Sequence, residues 1–312
     1  MKLKISYRVK NWKSYNQALR NRGDVTIWFT EDAFVPAHAG KRGRPPKYSV
    51  NFIRMVLTLR SVFRLPLRAT QGFVNSLLKI HGIEMSCCDY TLLSKRAAEV
   101  GAQLKRMLQK IDRVAHVVVD STGLKVFGEG EWKTRLYGKE KRRTWKKLHL
   151  AIDAESHEIV GHMLTGNNTN DGAALKPLLE NIGTVGHAYL DGAYDQKQCY
   201  EVLAKKGARP IIPPRKNSKS DKMVWTVAEQ WRNLNVNAVQ AFGLESWKVG
   251  VGYHRRSLSE TNVNRFKTIF TGHLQSRKLA NQVAEAGIKV DILNTMTRLG
   301  MPATQVTKKW FD

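Results

Sequence analysis

The spacing of apolar residues predicts a helical region before residue 114. Apolar residues recur there at helical spacing in three segments. We expect the first to begin at a Ser49 cap, the second to span about Leu67 to Ile80 with Gly82 as its stop, and the third to run from near Asp89 to Gly101. Three short helices joined by tight turns are typical of a helix-turn-helix DNA-binding unit.

From Val114 onward the pattern is that of strands and helices. Segments 115–127, 146–153 and 158–165 are β-branched or alternate in polarity, so three successive strands joined by hairpins are expected. Helices are expected at about 172–181 and 196–206, with short strands at 187–191 and 209–212. Residues 215–250 have a weak pattern and are interpreted as a basic insertion, and two or three helices close the chain. This pattern predicts an α/β domain over 114–312.

The N-terminal 113 residues divide into two parts. Residues 1–40 show only some helix potential, around Ser14 to Arg22. The stretch KRGRPPKYS at 41–49 is expected to be an extended linker, because its Gly and Pro residues exclude regular structure. Its RGRP core resembles an AT-hook, in which Arg42 and Arg44 would enter an A·T minor groove. A plain basic linker explains the same residues equally well, so we expect a segment 1–40 and a DNA-binding region 41–113.

The charge of the chain points to a polyanionic partner. There are 52 Lys and Arg against 26 Asp and Glu, a net charge of +26, and residues 1–113 alone hold 22 against 7. Nucleic acid is therefore the expected partner, and the N-terminal third its expected reader. A membrane surface is the weaker alternative, because the cations alternate with Gly, Pro and Trp and do not line one amphipathic helix.

Other partners and compartments are constrained by what the sequence does not contain. It has no apolar run of about 20 residues and no signal-peptide pattern, so a cytoplasmic, nucleoid-associated protein without membrane contact is expected. The three cysteines show neither a zinc spacing nor a disulfide framework. No segment resembles a phosphate-cradling loop, so no nucleotide cofactor is expected.

A second basic segment, KEKRRTWKK at 139–147, combines six cations with one tryptophan. Such a loop can contact a DNA backbone and stack its ring on an unpaired base. The residues that would do so are Lys141, Arg142, Arg143, Trp145 and Lys146. The plainer alternative is a solvated hairpin tip.

Two aspartates follow apolar strands, and each is a candidate metal ligand. Asp120 ends VVVD and Asp191 ends AYLD, so both are expected at a sheet edge where side chains from different strands can converge. A strand-terminal Asp is also a common turn former. Asp171 and Asp195 compete for the same role, but both precede expected helices and are interpreted as helix caps.

A third acid, Glu260, lies in GYHRRSLSETNVNRFK, which we expect to be one helix. At about 100° per residue, Tyr253, Arg256, Glu260 and Lys267 share a face roughly 60° wide. The functional interpretation is a metal-binding carboxylate flanked by two cations for phosphate and one ring. The alternative is an ordinary solvated face with an Arg/Glu pair.

Together these motifs resemble the DDE transposases of bacterial insertion sequences. The resemblance is carried by VVVDST with Asp120, YLDGAYD with Asp191, and the Y-x2-R-x3-E-x6-K spacing from Tyr253 to Lys267. The stretches GNNTNDGAALKPLL and VDILNTMTRLGMP are also similar, so the likeness runs from about residue 45 to residue 303.

That resemblance implies a fold, a cofactor and partners. The fold would be an RNase H-like five-stranded mixed sheet with flanking helices, with residues 215–250 as an insertion. Asp120, Asp191 and Glu260 would hold two Mg²⁺ (or Mn²⁺). The partners would be double-stranded DNA, both terminal inverted repeats and target, and further copies of the chain in a dimer or higher assembly. Two alternatives stay open, a catalytically idle DNA-binding protein or repressor and a nuclease that does not join strands.

Overall fold

The structure is a computed structural model that describes residues 2–35, 46–107, 110–126 and 145–311. The chain forms two compact units, Met1–Leu93 with Asp291–Asp312 and Ser94–Val290. Five of the predicted DNA contacts lie outside the described residues: Arg42, Arg44, Lys141, Arg142 and Arg143. None of the described helices is both long and apolar enough to cross a membrane.

The first unit begins with a strand and continues as helices. Its successive elements are β1 (Lys2–Val9), α1 (Trp12–Asn21), α2 (Val25–Trp28), a 3₁₀ helix (Glu31–Phe34), α3 (Val50–Val62), α4 (Leu67–Ile80) and the first turn of α5 (Tyr90–Met107).

The second unit carries a sheet between helices. Its elements after α5 are β2 (Ile111–Val126), β3 (Trp145–Asp153), β4 (Ile159–Gly166), α6 (Asp171–Leu178), β5 (Ile182–Tyr189), a 3₁₀ helix (Gly192–Tyr194), α7 (Lys197–Lys205), β6 (Arg209–Ile211), α8 (Val227–Phe242), α9 (Leu244–Gly250), a 3₁₀ helix (Tyr253–Arg256), α10 (Ser257–Phe270), β7 (His273–Leu274) and most of α11 (Leu279–Leu299). The chain then closes with β8 (Thr304–Phe311), which belongs to the first unit.

The two ends of the chain pair with each other. β1 and β8 form an antiparallel two-stranded sheet, with Lys2 opposite Phe311 and Val9 opposite Thr304. The expectation of little beyond helix potential in residues 1–40 was therefore incomplete, and the chain does not end in helices. The pairing of two strands from opposite ends of the chain cannot be predicted from a local sequence pattern, because the partners are far apart in the sequence.

The predicted helices α3 and α4 are present with the expected boundaries. The Ser49 side chain accepts a hydrogen bond from the Phe52 backbone N–H, which satisfies one otherwise unpaired donor at the start of α3. Past the end of α4, Gly82 adopts the left-handed conformation (φ 66°) that glycine accommodates without strain. Both boundaries are thus set by the residues that predicted them.

The third helix was predicted to end at Gly101 and instead continues to Met107. A Cβ atom at position 101 would lie 3.0 Å from the Cα and Cβ atoms of Ala284 in α11. Gly101 therefore serves a close helix–helix approach and does not terminate the helix.

The fold is mixed α/β, with a mixed sheet and flanking helices, as predicted. The strand order is β4-β3-β2-β5-β6, and β7 pairs with the end of β2. β2, β5 and β6 are parallel, whereas β3 is antiparallel to both of its neighbours. The expected antiparallel pairing of β2, β3 and β4 is therefore confirmed.

The two faces of the sheet are covered by different helices. One face forms a core with α6 and α7, in which Val117, Val119 and Leu203 are fully buried. On the other face Val118, Tyr189 and Ile211 pack with Trp247 of α9. Residues 215–250, whose fold was open from the sequence, thus contribute two helices, and α9 covers the sheet next to the predicted acidic residues.

Candidate active site

Neighbouring parallel strands bring Asp120 and Asp191 to one region of the sheet. Val118 of β2 lies opposite Tyr189 of β5, and the two aspartates follow these residues at the same offset of two. Side chains two residues apart on a strand share a face, and adjacent strands are about 4.8 Å apart. Asp120 and Asp191 therefore follow corresponding positions of two neighbouring strands, with Asp191 just beyond the end of β5.

The placement of Asp120 within its strand differs from the prediction. β2 does not end at Asp120 but continues to Val126, because Asp120 to Lys125 stay paired with β3. Asp191 does lie just past the end of β5, where its side chain accepts a hydrogen bond from the Ala193 N–H at 2.9 Å. One acid is thus fixed inside the sheet and the other in the turn that follows it.

The predicted single helix around Glu260 is divided in two. Tyr253–Arg256 form a 3₁₀ helix that follows Gly252 in the left-handed conformation (φ 66°), and α10 begins at Ser257. The assumption of one continuous helical face was therefore wrong, because a 3₁₀ segment has about 3.0 residues per turn and an α-helix about 3.6. Glu260 lies in the first turn of α10, and Lys267 lies about two turns further along.

Arg256 joins two of the three predicted acids. Its Nη1 donates to Oδ2 of Asp120 at 3.2 Å, and its Nη2 donates to Oε1 of Glu260 at 2.6 Å. Asp120 and Arg256 are largely buried, whereas the Glu260 side chain is 64% exposed. The guanidinium therefore holds the carboxylates of β2 and α10 close to each other.

Ser259 is a residue of this site that the sequence analysis did not identify. Its hydroxyl lies 2.8 Å from Oδ2 of Asp120, and the residue is fully buried. Serine is common in the first turn of helices, so its type and position carried no signal. Only the packing of α10 against β2 reveals the contact.

Burial and the charges of the site shift the pKa values of two residues. Burial raises the pKa of Asp191, and the neighbouring Asp120 raises it further, while the Ala193 N–H and Arg256 oppose the shift. Burial also raises the pKa of Tyr253 to about 12; Arg256 opposes this, and all three acids reinforce it. The acids and two members of the Tyr-Arg-Glu-Lys spacing therefore share one electrostatic environment.

The acids supply the donors that a hard divalent cation prefers, but they do not form a closed cage. Carboxylate oxygens suit Mg²⁺ and Mn²⁺. Within the described ranges, however, no three His, Cys, Asp or Glu side chains are arranged so that they could hold a metal ion. The guanidinium of Arg256 forms ion pairs with both Asp120 and Glu260, so it supplies the positive charge that a bound metal ion would otherwise supply to these two carboxylates. The chemistry of these donors thus suits a divalent metal, which would require the three carboxylates to draw together and this guanidinium to move.

The remaining predicted DNA contacts occupy different places. Tyr253 is half-buried against Trp247, with ring centroids 5.8 Å apart, and Lys267 is exposed on α10. Trp145 and Lys146 lie at the start of β3 and not in a loop tip. Trp145 pairs with Lys125, five residues and about 16 Å along β2 from Asp120, and its ring lies under the Lys125 ammonium group at 5.5 Å.

Asp171 and Asp195 have structural contacts, though not the predicted ones. Asn170 caps α6, whereas Asp171 is its first residue and pairs with Lys147 at 3.2 Å. The buried Asp195 accepts hydrogen bonds from the Arg215 N–H and the Ser218 hydroxyl, so it fixes the segment that follows β6. The carboxylate of neither residue caps a helix.

Comparison with known proteins identifies the family. Two family models described as "Transposase DDE domain" match residues 20–129 and 115–294. A cryo-EM structure of a piggyBac transposase synaptic complex with hairpin DNA is similar, at 11% sequence identity and a TM-score of 0.40, over 88% of this chain and 72% of that one. Because the second model covers more than half of the chain, this protein belongs to the DDE transposase family.

Proposed function

We propose that this chain is the transposase of a bacterial insertion sequence, which binds terminal inverted repeats, cleaves DNA strands and joins them to a target. The observation that carries the proposal is that Arg256 pairs with both Asp120 and Glu260, next to the strand β5 that leads to Asp191. These acids lie on β2, just past the end of β5 and on α10, all within the segment that the second family model matches. It would act on nucleoid DNA as a dimer or a higher assembly.

The three carboxylates would hold divalent metal, either two Mg²⁺ or two Mn²⁺. Members of this family generally use divalent metal ions. When bound, the metal pair would supply activation of the attacking oxygen and stabilisation of the leaving oxygen. Arg256 and Lys267 would bind phosphate oxygens, since a guanidinium and an ammonium both donate to them. Tyr253, held by Trp247, would contact the DNA next to these cations.

The strand arrangement supports an RNase H-like core. The resemblance implied five strands in a mixed sheet, and the path β4-β3-β2-β5-β6 has five, of which only β3 runs against the others. Asp120 lies on β2, the middle strand of that path, and Asp191 follows its neighbour β5. We therefore propose that this sheet is the catalytic core.

The N-terminal helices support a DNA-binding role. α3, α4 and α5 follow one another over Val50–Met107, and Lys95, Lys105 and Arg106 are exposed on α5. Successive helices with exposed cations are suited to a major groove and its phosphates. We propose that they form the helix-turn-helix unit that reads the terminal repeats.

One observation favours the catalytically idle alternative. Arg256 forms ion pairs with both Asp120 and Glu260, which gives these acids a structural role that needs no catalysis. A repressor of this type would bind the repeats and leave DNA intact whether or not metal is added.

A cleavage and strand-transfer assay separates these functions. DNA carrying the flanking inverted repeats is incubated with the purified chain and Mg²⁺ or Mn²⁺, and the products are resolved on a gel. The transposase proposal predicts cleaved and joined products that disappear in Asp120→Asn, Asp191→Asn and Glu260→Gln, each of which removes a charge at nearly constant shape. Cleavage without joined products would indicate a nuclease, and binding without cleavage a repressor.

A further inference from the structure

The buried hydroxyl of Ser259 lies against a carboxylate that the proposed function assigns to metal. We propose that Ser259 is a positioning residue, which fixes the Asp120 carboxylate in the orientation that receives a divalent cation. The inference rests on the proposed function but concerns a residue outside the three acids and outside the Tyr-Arg-Glu-Lys spacing.

The Ser259 hydroxyl has one hydrogen and two acceptors within reach. Oδ2 of Asp120 and the carbonyl oxygen of Arg256 both lie 2.8 Å from it. A hydroxyl donates one hydrogen bond at a time, and a bond to a charged acceptor is about twice as strong as a bond to a neutral one. The hydrogen is therefore directed to Asp120.

The acceptor sites of Asp120 show why this donor matters. Oδ1 accepts from the Ser121 N–H at 2.8 Å, and Oδ2 accepts from both Arg256 and Ser259. An ionised carboxylate offers about four acceptor sites. A cation that takes the Oδ2 site used by Arg256 displaces a long, partly exposed side chain, whereas Ser259 is short and fully buried and stays in place.

Ser259 can hold the carboxylate still because its own position is fixed. It lies in the first turn of α10, which packs against β2, and it has no exposed surface. Because the Ser259 hydroxyl still donates to Oδ2 of Asp120, this oxygen keeps its orientation after Arg256 has moved away. When a group that hydrogen-bonds to a metal ligand is mutated, the metal affinity typically falls by about 10- to 100-fold.

The test measures metal binding directly and uses a serine of the same helical turn as its control. Free Mn²⁺ is followed by electron paramagnetic resonance during titration of the full-length chain, of Ser259→Ala and of Ser257→Ala. Ser257 makes the same bond to the carbonyl three residues earlier, that of His254, at 2.8 Å, and among the described residues it has no hydrogen bond to an acid. Thermal unfolding of each variant verifies that it is folded.

The inference predicts that Ser259→Ala weakens Mn²⁺ binding about tenfold or more. Ser257→Ala should bind as the parent does, and Ser259→Thr, which keeps the hydroxyl, should stay close to the parent. Equal Mn²⁺ affinities for Ser259→Ala and Ser257→Ala would overturn the inference while leaving the proposed function intact. A parent that binds no Mn²⁺, or that binds it equally well after Asp120→Asn, would overturn both.

Discussion

The ion pairs of Arg256 lead to a quantitative prediction for Arg256→Gln. Its bond to the largely buried Asp120 is worth about 1.5–3 kcal/mol, as is usual for hydrogen bonds to charged groups. The pair with Glu260, which is 64% exposed, adds only about 0.3–0.5 kcal/mol. Without metal, we therefore expect the variant to lose roughly 2 kcal/mol of unfolding free energy.

Metal should reverse much of this loss. For a unit of roughly 200 residues, a change of about 2 kcal/mol lowers Tm by about 4–8 °C. Removing the guanidinium leaves the neighbouring carboxylates without their positive partner, so an added cation relieves repulsion and no longer competes with Arg256. Mn²⁺ should therefore raise the Tm of Arg256→Gln by more than it raises the Tm of the parent.

Calorimetry over a series of Mn²⁺ concentrations measures both effects. The matched control is Arg255→Gln, which removes the same charge from the adjacent, exposed position. Equal metal-free Tm values for the two variants would refute the stabilising role of the Arg256 bridge. A metal response in Arg256→Gln no larger than in the parent would refute the competition between guanidinium and cation.

Three further predictions follow from the structure. Burial raises the pKa of Asp191 above its ordinary value of 3.8, so ionising this carboxyl costs more in the folded chain than in the unfolded chain. The metal-free parent should therefore lose stability relative to Asp191→Asn as pH rises above that value. A difference in Tm between the two proteins that does not change with pH would contradict this. Gly101→Ala should lower the free energy of unfolding, because the added Cβ would lie 3.0 Å from Ala284. Gly72→Ala in α4, with open space around the added Cβ, should instead raise the free energy of unfolding by about 0.5–1 kcal/mol. Changes of the same sign for both variants in chemical denaturation would be inconsistent with the packing. DNA affinity measured by fluorescence anisotropy should fall steeply with salt, because many cations meet phosphates, and a flat salt dependence would speak against the charge argument.

Much of the fold was readable because its signals are local. Ser49 and Gly82 set their helix boundaries by a side-chain cap and a left-handed turn, so the sequence alone located α3 and the end of α4. The pairing of β1 with β8 was not readable, since its partners are about 300 residues apart. The predicted helix end at Gly101 was wrong, because a glycine required for close packing cannot be distinguished in a sequence from one that ends a helix.

For the candidate site, too, the local patterns were readable from the sequence and the contacts between distant segments were not. Strand patterns made Asp120 and Asp191 candidates, and the Tyr-Arg-Glu-Lys spacing made Arg256 and Glu260 candidates, although the expected single helix is divided in two. The structure adds what spacing does not contain, namely that Arg256 bonds to two acids and that Ser259 supports one of them. These relations depend on how α10 packs against the sheet, which no local pattern specifies.

The central claim is that three acids distant in sequence share divalent metal beside DNA. A crystal structure of the chain with DNA carrying its terminal repeat and with Mn²⁺, located by anomalous scattering, tests it most directly. The account predicts two Mn²⁺ about 3.5–4 Å apart, bound by Asp120, Asp191 and Glu260, with Arg256 moved to a phosphate. Mn²⁺ bound elsewhere, with Arg256 still joining Asp120 to Glu260 in the presence of DNA, would contradict it.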